Sequence, residues 1–461
     1  MGSAGLAYLT GVVSSLGILY WVALVVVQYG GLSYGMGFLV LLLLCLAFSL
    51  FTGGFGLVVG ILLRRWGPPG LLGAPLAWVA FEILRTHVFF SFPWCLLGYS
   101  QWASPAMIQI APFTAVYGVS FALVATSSLL ATAALAPRSR LGWGAALGAL
   151  LLPLAVYLYG LVAIARAPLP EGSLRVGLVQ GNIPEEEKWQ EGREVANLMR
   201  HEVLTRRASA SGARLVVWPE SALSFYFDST PTIARELKDL VSLLRIRLVF
   251  GNDDADFDVQ GRGGRYFVGA KMLDPSGTLS LRYHKIHLVP FGEYVPLKGL
   301  LAGAGVGKLV QQVSDFTPGD RFAVGEMEGR RLAVFICYEA IFPDLVRRFP
   351  KAGAELLVNI TNDAWYGTSS APFQHFAAVV FRAVENRRFV IRAANTGITA
   401  IVDPTGQVRA RLGMFESTVL VRDVGFVTPP TFYALHGDLF AWGCLLLTGL
   451  LCVLPTPRGR P

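Results

Sequence analysis

Two hydrophobic patterns divide the chain. Long apolar runs without strand or helix periodicity cover Leu6 to Gln28, Met36 to Leu63, Leu71 to Phe90, Ala106 to Ala136 and Leu141 to Ile164, and a sixth covers Phe432 to Leu454. As a helix each run can cross about 30 Å of hydrocarbon, some with tilt. Between Leu174 and Asn395 short apolar runs alternate with amphipathic stretches. The short runs predict strands at Leu174 to Gln180, Leu215 to Pro219, Leu248 to Asn252, Val268 to Leu273, Thr278 to Tyr283, Ala333 to Cys337, Leu356 to Ile360 and Phe389 to Ala393. Helical periodicity fits Glu185 to Ala210, Thr232 to Leu244, Phe342 to Phe349 and Pro372 to Arg387. Asp274-Pro-Ser-Gly277 and Asp403-Pro-Thr-Gly406 are turn sequences, so the strand each follows should pair antiparallel with the next. Alternating strands and helices with added hairpins predict an α/β domain.

The expected organisation is therefore a helical membrane bundle of about five spans over residues 1–170, an α/β domain over 171–428, and a final span with a short tail over 429–461. Charge supports this division. Up to Pro137 the charged residues are Arg64, Arg65, Glu82 and Arg85 alone, whereas Glu171 to Val427 is charge-rich. With six spans both termini share one side, and Arg64, Arg65, Arg138, Arg140, Arg458 and Arg460 fall there. The loops around Gly30 and from Ser91 to Pro105 carry no Lys or Arg. The positive-inside rule assigns the arginine side to the cytoplasm and the polar domain to the opposite compartment, the periplasm in a bacterium with two membranes. The first apolar run lacks a basic leader and is long enough to span, which argues against a cleaved signal peptide. The net charge of +8 sits largely in loops and tail, with no basic stripe interleaved with aromatics, and nucleic-acid binding is not expected.

Chemistry enters at three strand ends. Cys337 closes the run Leu332-Ala-Val-Phe-Ile-Cys337, and the other cysteines, Cys45, Cys95, Cys444 and Cys452, lie in or beside the apolar runs. Glu220 follows Val216-Val-Trp-Pro, and Lys285 opens the block Lys285-Ile-His-Leu-Val-Pro-Phe-Gly-Glu293-Tyr-Val-Pro296. A lone buried cysteine is usually a small hydrophobe, Glu220 can be a capping residue, and Lys285 a solvated charge. Brought to one sheet edge, however, a carboxylate takes a thiol proton, the thiolate attacks a carbonyl, and the ammonium stabilises the oxyanion.

These residues, in this chain order, resemble the nitrilase superfamily with its Glu-Lys-Cys triad. The strings Trp218-Pro-Glu220-Ser221, Tyr283 to Pro296, Ile336-Cys-Tyr-Glu339 and Asn362-Asp-Ala-Trp365-Tyr-Gly367, with flanking spans, resemble its membrane-embedded branch, the apolipoprotein N-acyltransferases. The resemblance implies a nitrilase-like four-layer α-β-β-α sandwich inserted between transmembrane helices. It implies Glu220 as general base, Lys285 as oxyanion stabiliser and Cys337 as nucleophile, with Trp189, Glu293, Tyr338, Glu339, Asn362 and Trp365 in support. It implies acyl transfer from a phospholipid to the N-terminal amine of a diacylglyceryl lipoprotein, with no cofactor, by a monomer in the bacterial inner membrane. Relatives of this kind usually carry further spans ahead of the segment matching Leu6 to Gln28, so either the start is truncated or the bundle is smaller. The same triad with water as acceptor would make an amidase or nitrile hydrolase. With a vestigial triad the chain would be a transporter or lipoprotein-binding scaffold.

Several lesser features are read more plainly. His284 and His287 lack a carboxylate or cysteine set for a metal site, and Gly261-Arg-Gly-Gly264 lacks the ending of a phosphate loop. Glu82 and Arg85, three apart in an apolar run, are expected to pair and lock helices together, with contact to a lipid headgroup as the alternative. The uncharged aromatic loop Ser91 to Tyr99 suits a membrane interface. The apolar segments Leu223 to Phe227 and Leu297 to Val310 are expected as arms dipping into the interface, with burial in the core as the alternative.

Overall fold

The computed structural model describes residues 2–88, 91–256, 264–296 and 315–454. Two compact units emerge: the first holds Met1–Ala167 with Thr431–Pro461, the second Pro168–Pro430.

The first unit is helical. Helices α1 (Ser3–Leu19) and α2 (Trp21–Gln28) are separated at Tyr20 by a bend of 52°. They are followed by α3 (Tyr34–Trp66), α4 (Ala74–His87), α5 (Val116–Leu135) and α6 (Arg140–Ala165). Small residues let α1 and α3 approach closely: a Cβ on Gly11 would stand 2.9 Å from the Thr52 side chain. Among the described residues, three helices, α3, α5 and α6, are long and apolar enough to cross a membrane, or four if α1 and α2 form one bent span. That is fewer than the six expected. Leu71 to Phe90 contains only the 14-residue α4, which rises about 21 Å. Pro68, Pro69 and Gly70 turn the chain ahead of it into a 3-10 segment, and Ala77, Val79, Ala80 and Ile83 are spent on the core. Phe432 to Leu454 breaks at Gly437, whose φ of +67° ends one short helix before the 15-residue Leu439–Val453 begins. Arg65, at the end of α3, donates to the carbonyls of Cys452 and Leu454, so the ends of these two helices lie together.

Glu82 and Arg85 do not lock helices through an ion pair with each other; no such pair exists within 4.0 Å among the described residues. Each instead holds the aromatic loop. Glu82 accepts from Leu97 N (2.8 Å) and Trp78 Nε1 (3.0 Å), and Arg85 donates to Trp94 O (3.2 Å). The loop backbone offers a donor and an acceptor that hydrocarbon cannot satisfy, so it takes both charged groups.

The second unit contains two six-stranded sheets. Its strands are β1 (Glu171–Gln180), β2 (Leu215–Val217), β3 (Arg247–Gly251), β4 (Asp254–Asp256), β5 (Arg265–Phe267), β6 (Gly269–Leu273), β7 (Leu279–His284), β8 (Val324–Met327), β9 (Arg330–Ile336), β10 (Leu356–Thr361), β11 (Phe389–Ala394), β12 (Ala400–Val402), β13 (Val408–Arg411) and β14 (Thr418–Phe426). The orders are β14-β1-β2-β3-β6-β7 and β13-β12-β11-β10-β9-β8. Each sheet is parallel at its centre and antiparallel at its flanks. Both turn sequences join antiparallel neighbours, β6 to β7 and β12 to β13. All eight expected strands are present. Those not expected, β4, β5, β8 and β12 to β14, are short, polar or edge strands whose pairing rather than composition defines them.

Three helices cover the sheets: α7 (Glu194–Ala210), α8 (Pro231–Leu244) and α9 (Ala371–Asn386). Leu198, Leu204 and Ala208 of α7 and Leu237, Leu240 and Val241 of α8 pack onto Val216, Trp218, Leu248 and Phe250. The inner faces meet where β1 contacts β11 and β6 contacts β9, giving the α-β-β-α layering. The helix expected over Glu185 to Ala210 is interrupted at Trp189–Arg193, where Gly192 takes φ +82°. Leu223 to Phe227 is not an arm. Leu223 and Phe227 belong to the buried cluster, and Asn252 pins the segment by accepting from Phe227 N (3.1 Å) and donating to Phe225 O. Burying the two side chains beside β3 removes more apolar surface from water than an exposed loop would. The segments 257–263 and 297–310, which hold the glycine-rich stretch and the other expected arm, fall outside the described residues.

Gly251 ends β3 directly against the backbone of Pro219 to Ser221. A Cβ there would lie 2.5 Å from Ser221 N and 2.6 Å from Glu220 Cα. Gly251→Ala should therefore cost about 1–3 kcal/mol of stability through overpacking and displace Glu220. The purified full chain should show a lower melting temperature and reduced activity together; an unchanged melting temperature would refute the close approach.

Candidate active site

Three strand ends converge in the second unit. After β2, Trp218 N donates to Val249 O (2.8 Å), and two residues later Glu220 leaves the sheet edge. After β7, Lys285 is fixed by its own N–H to Val268 O (2.9 Å) and by Gly319 N to its carbonyl (2.8 Å). After β9, Cys337 takes φ +47° and opens a 3-10 turn over Cys337–Ile341. This left-handed conformation costs a residue with a Cβ about 1–2 kcal/mol, so the surroundings must hold it.

Glu339 supplies much of that hold. Its Oε2 accepts from Ile336 N (2.7 Å), and its Oε1 accepts from Ile286 N (2.7 Å) and the Tyr283 hydroxyl (2.7 Å). One buried carboxylate thus ties the backbone just before Cys337 to the backbone just after Lys285. Burial pushes the Glu339 carboxyl up to about 7, against the pull of these hydrogen bonds. Behind Cys337, His375 Nε2 donates to the Cys337 carbonyl (2.9 Å), while its Nδ1 lies 3.1 Å from Asp363 Oδ1. Arg392 Nη2 bonds Asp363 Oδ2 (2.7 Å), and the whole group is buried.

Lys285 Nζ stands between two carboxylates, 2.6 Å from Glu293 Oε1 and 3.2 Å from Glu220 Oε1. Burial alone would push the ammonium down, but Glu220 and Glu293 outweigh it and hold Lys285 well above the usual lysine range. Glu293 is itself fixed by Val289 N on Oε2 (2.8 Å). Burial raises its carboxyl, Lys285 lowers it, and Glu220 raises it further. Glu220 Oε2 accepts from Asn362 N (2.8 Å). Cys337 is only 6% exposed. Burial first and then the charge of Glu220 push its thiol well above the usual range, with Lys285 pulling the other way. The resting sulfur is therefore protonated, beside a carboxylate and a permanent cation.

The supporting residues fall into two groups. Glu293, Glu339, Asn362 and Tyr338 are at the centre, Tyr338 buried with its ring edge-on to Phe342 (5.1 Å between centroids). Trp189 and Trp365 are at the periphery, 51% and 38% exposed. Trp189 connects inward: its Nε1 donates to Glu185 Oε1 (2.8 Å), and Glu185 Oε2 accepts from Asn362 Nδ2 (2.6 Å). Asn395 completes the frame, donating to Asn362 Oδ1 (3.1 Å). Sequence reasoning missed Glu185, Asn395 and the His375–Asp363–Arg392 group. Glu185 was discoverable from its place one helical turn before Trp189, but His375 and Arg392 lie on separate elements and carry no local signature.

Residues 175–428 match the carbon-nitrogen hydrolase family, and residues 1–129 match the apolipoprotein N-acyltransferase N-terminal domain. The apolipoprotein N-acyltransferase of Geobacter metallireducens is 40% identical over 98% of this chain and 87% of its own length. Those of Methylococcus capsulatus (35% identical, over 93% and 83%) and Nitrosomonas europaea (33%, over 98% and 90%) are also similar. A solved amidase from a Nesterenkonia species aligns with TM-score 0.43 and 23% identity, over 58% of this chain and 95% of that one. With both parts of its length matched, and relatives of this identity along nearly all of it, the chain belongs to the apolipoprotein N-acyltransferase family.

Proposed function

We propose that this protein transfers a fatty acyl group from a membrane phospholipid to the α-amine of a diacylglyceryl-cysteine at a lipoprotein N-terminus, through a thioester on Cys337. The observation that carries the reading is the Lys285 ammonium clamped between Glu220 and Glu293 at a strand end adjoining that of Cys337. A lysine has three N–H bonds. Two are committed to carboxylates, and the third is left for the oxygen of a carbonyl under attack.

In the first half-reaction Glu220 takes the thiol proton as sulfur bonds the ester carbonyl carbon. The oxyanion forms against Lys285. The ester C–O bond then breaks, the lysophospholipid oxygen leaves with the proton from Glu220, and the acyl group remains on sulfur. In the second, the neutral amine nitrogen attacks the thioester, Glu220 takes its proton, the C–S bond breaks, and that proton returns to sulfur. The amide product is the more stable acyl compound, which drives the step. Glu293 and Glu339 act as positioning residues, for Lys285 and for the strand ends. Trp189, Tyr338, Asn362 and Trp365 shape the surroundings.

The protein acts as a monomer in the bacterial inner membrane, with the second unit in the periplasm where exported lipoproteins are found. Support comes from arginines at one end of the bundle: Arg64 and Arg65 close α3, Arg138 precedes α6 and Arg140 opens it, and Arg65 holds the end of the last helix. Loops free of Lys and Arg are at the other end.

Incubated with phospholipid alone, the protein should accumulate about one acyl group on Cys337, labile to neutral hydroxylamine and discharged by a lipopeptide with a free amine. Cys337→Ala should take none, and Lys285→Met should load about 100-fold more slowly. Product formed only when both substrates are present, with no loaded species by mass spectrometry, would refute the thioester. Because the resting thiol is held above its usual range, iodoacetamide should alkylate Cys337 more slowly than free cysteine near neutral pH, with a rate still climbing at about pH 10. A plateau by about pH 8 would mean a preformed thiolate and remove the need for Glu220 as base. A periplasm-dependent reporter fused after Arg138 should be silent; strong activity from it would reverse the orientation.

A further inference from the structure

Asp253 is a half-buried acidic residue the mechanism does not use. Its Oδ1 is shielded from solvent and has no hydrogen-bond partner, and among the described residues its carboxylate forms no ion pair within 4.0 Å. Its neighbours contrast with it. Asn252 accepts from Lys271 Nζ (2.9 Å) and Phe227 N, and Asp254 accepts from Lys271, Arg282 (3.0 Å) and His284 (2.8 Å). Lys271, Arg282 and His284 are thus engaged by Asp254 rather than by Asp253. A shielded carboxylate oxygen without a partner is costly, and the cost is relieved either by taking up a proton or by a cation brought to it.

The chain at Asp253 runs beside the segment that carries Glu220. Gly251 lies against the Glu220 backbone, and Leu223 bridges Asn252, which brings the start of β4 beside the segment following Glu220. The charges acting on Asp253 are Lys188, Glu220, Glu293 and Lys271, and Asp253 in turn acts on Tyr226. Burial, then Lys188 in opposition and Glu220 and Glu293 in support, leaves the carboxyl raised to about 7. The Tyr226 ring stands 6.2 Å from that of Tyr266. Asn252, just before Asp253, bonds Phe225 and Phe227 on either side of Tyr226, and Ala255, two residues after Asp253, pairs with Tyr266. An acidic group on a chain packed among aromatic rings is a setting that attracts an organic cation.

We propose that Asp253, with the rings of Tyr226 and Tyr266, forms a subsite for a primary ammonium carried by one of the two lipid-linked substrates. The inference rests on the acyl-transfer reading. The ammonium has two possible sources: the α-amine of the acceptor, or the headgroup of an ethanolamine phospholipid donor. Asp253 is a binding group in either case; an acceptor bound as its ammonium first releases one proton to solvent, leaving the neutral nitrogen that attacks the thioester. Ionisation of Asp253 strengthens the attraction, so preference for the ammonium should grow as pH rises through about 7.

The test measures selectivity. With the full chain in detergent, Cys337 is loaded from phosphatidylethanolamine or phosphatidylglycerol, and the load is discharged with a free-amine lipopeptide or with hydroxylamine, which is uncharged at pH 7. Asp253→Asn should reduce one of the two ratios, ethanolamine over glycerol lipid in loading or lipopeptide over hydroxylamine in discharge, by about tenfold or more. A fall in the loading ratio names the donor headgroup, and a fall in the discharge ratio names the acceptor. Tyr226→Leu should lower the same ratio by a smaller factor. Unchanged ratios, or equal slowing of both substrates of a pair, would overturn the subsite. A second readout is independent of the thioester. Cys337→Ala protein should bind either the free-amine over the N-acetylated lipopeptide or the ethanolamine over the glycerol lipid, and Asp253→Asn should abolish that preference. Failure of the wild type to load would count against the thioester alone, whereas absence of any binding preference would count against Asp253.

Discussion

The arrangement of the second unit depends on one buried carboxylate. Glu339 accepts from the backbone on both sides of the site, at Ile336 and at Ile286, and from the Tyr283 hydroxyl. Cys337 and Lys285 follow strands of different sheets, so the hydrogen-bond ladder of neither sheet sets the distance between them. Hydrogen bonds to a single carboxylate set it instead. Buried hydrogen-bonded groups of this kind are costly if any partner is lost, which makes the geometry nearly all-or-none. The strained backbone at Cys337 is held from both ends, by Glu339 in front and by His375 on its carbonyl behind.

Charge within the site follows from that scaffold. Lys285 is surrounded by Glu220 and Glu293, so burial does not neutralise it, while the same burial and the nearby Glu220 keep the Cys337 thiol protonated. A sulfur held as the neutral thiol is less exposed to oxidation, which requires thiolate character.

Much of this was legible from residue order because each triad member stands at the mouth of a strand, and the strands are apolar runs bounded by turns. The hairpin turns after β6 and β12 were equally plain. What escaped notice had physical reasons. Strands such as β13 and β14 are half polar and exist through their neighbours. The segment Leu223 to Phe227 is apolar in either location, and only Asn252 decides that it is core. The run Leu71 to Phe90 is apolar enough to span, but the 3-10 turn begun at Pro68 takes its residues up to Gly73 and leaves only Ala74–His87 as helix. Glu82 and Arg85 have ideal helical spacing for each other, and the loop backbone from Trp94 to Leu97 outcompetes that pairing.

The first unit is not contiguous in the chain. Helix Leu439–Val453 packs against α4, and Arg65 caps its end, although more than 260 residues of the second unit intervene. During synthesis, therefore, the helices made first wait with an incomplete face, and a guanidinium without its carbonyl partners, until the last segment leaves the ribosome. A chain that stalls within the second unit therefore keeps α4 without the helix that covers it and Arg65 without its carbonyl partners, so the bundle closes only when synthesis is complete.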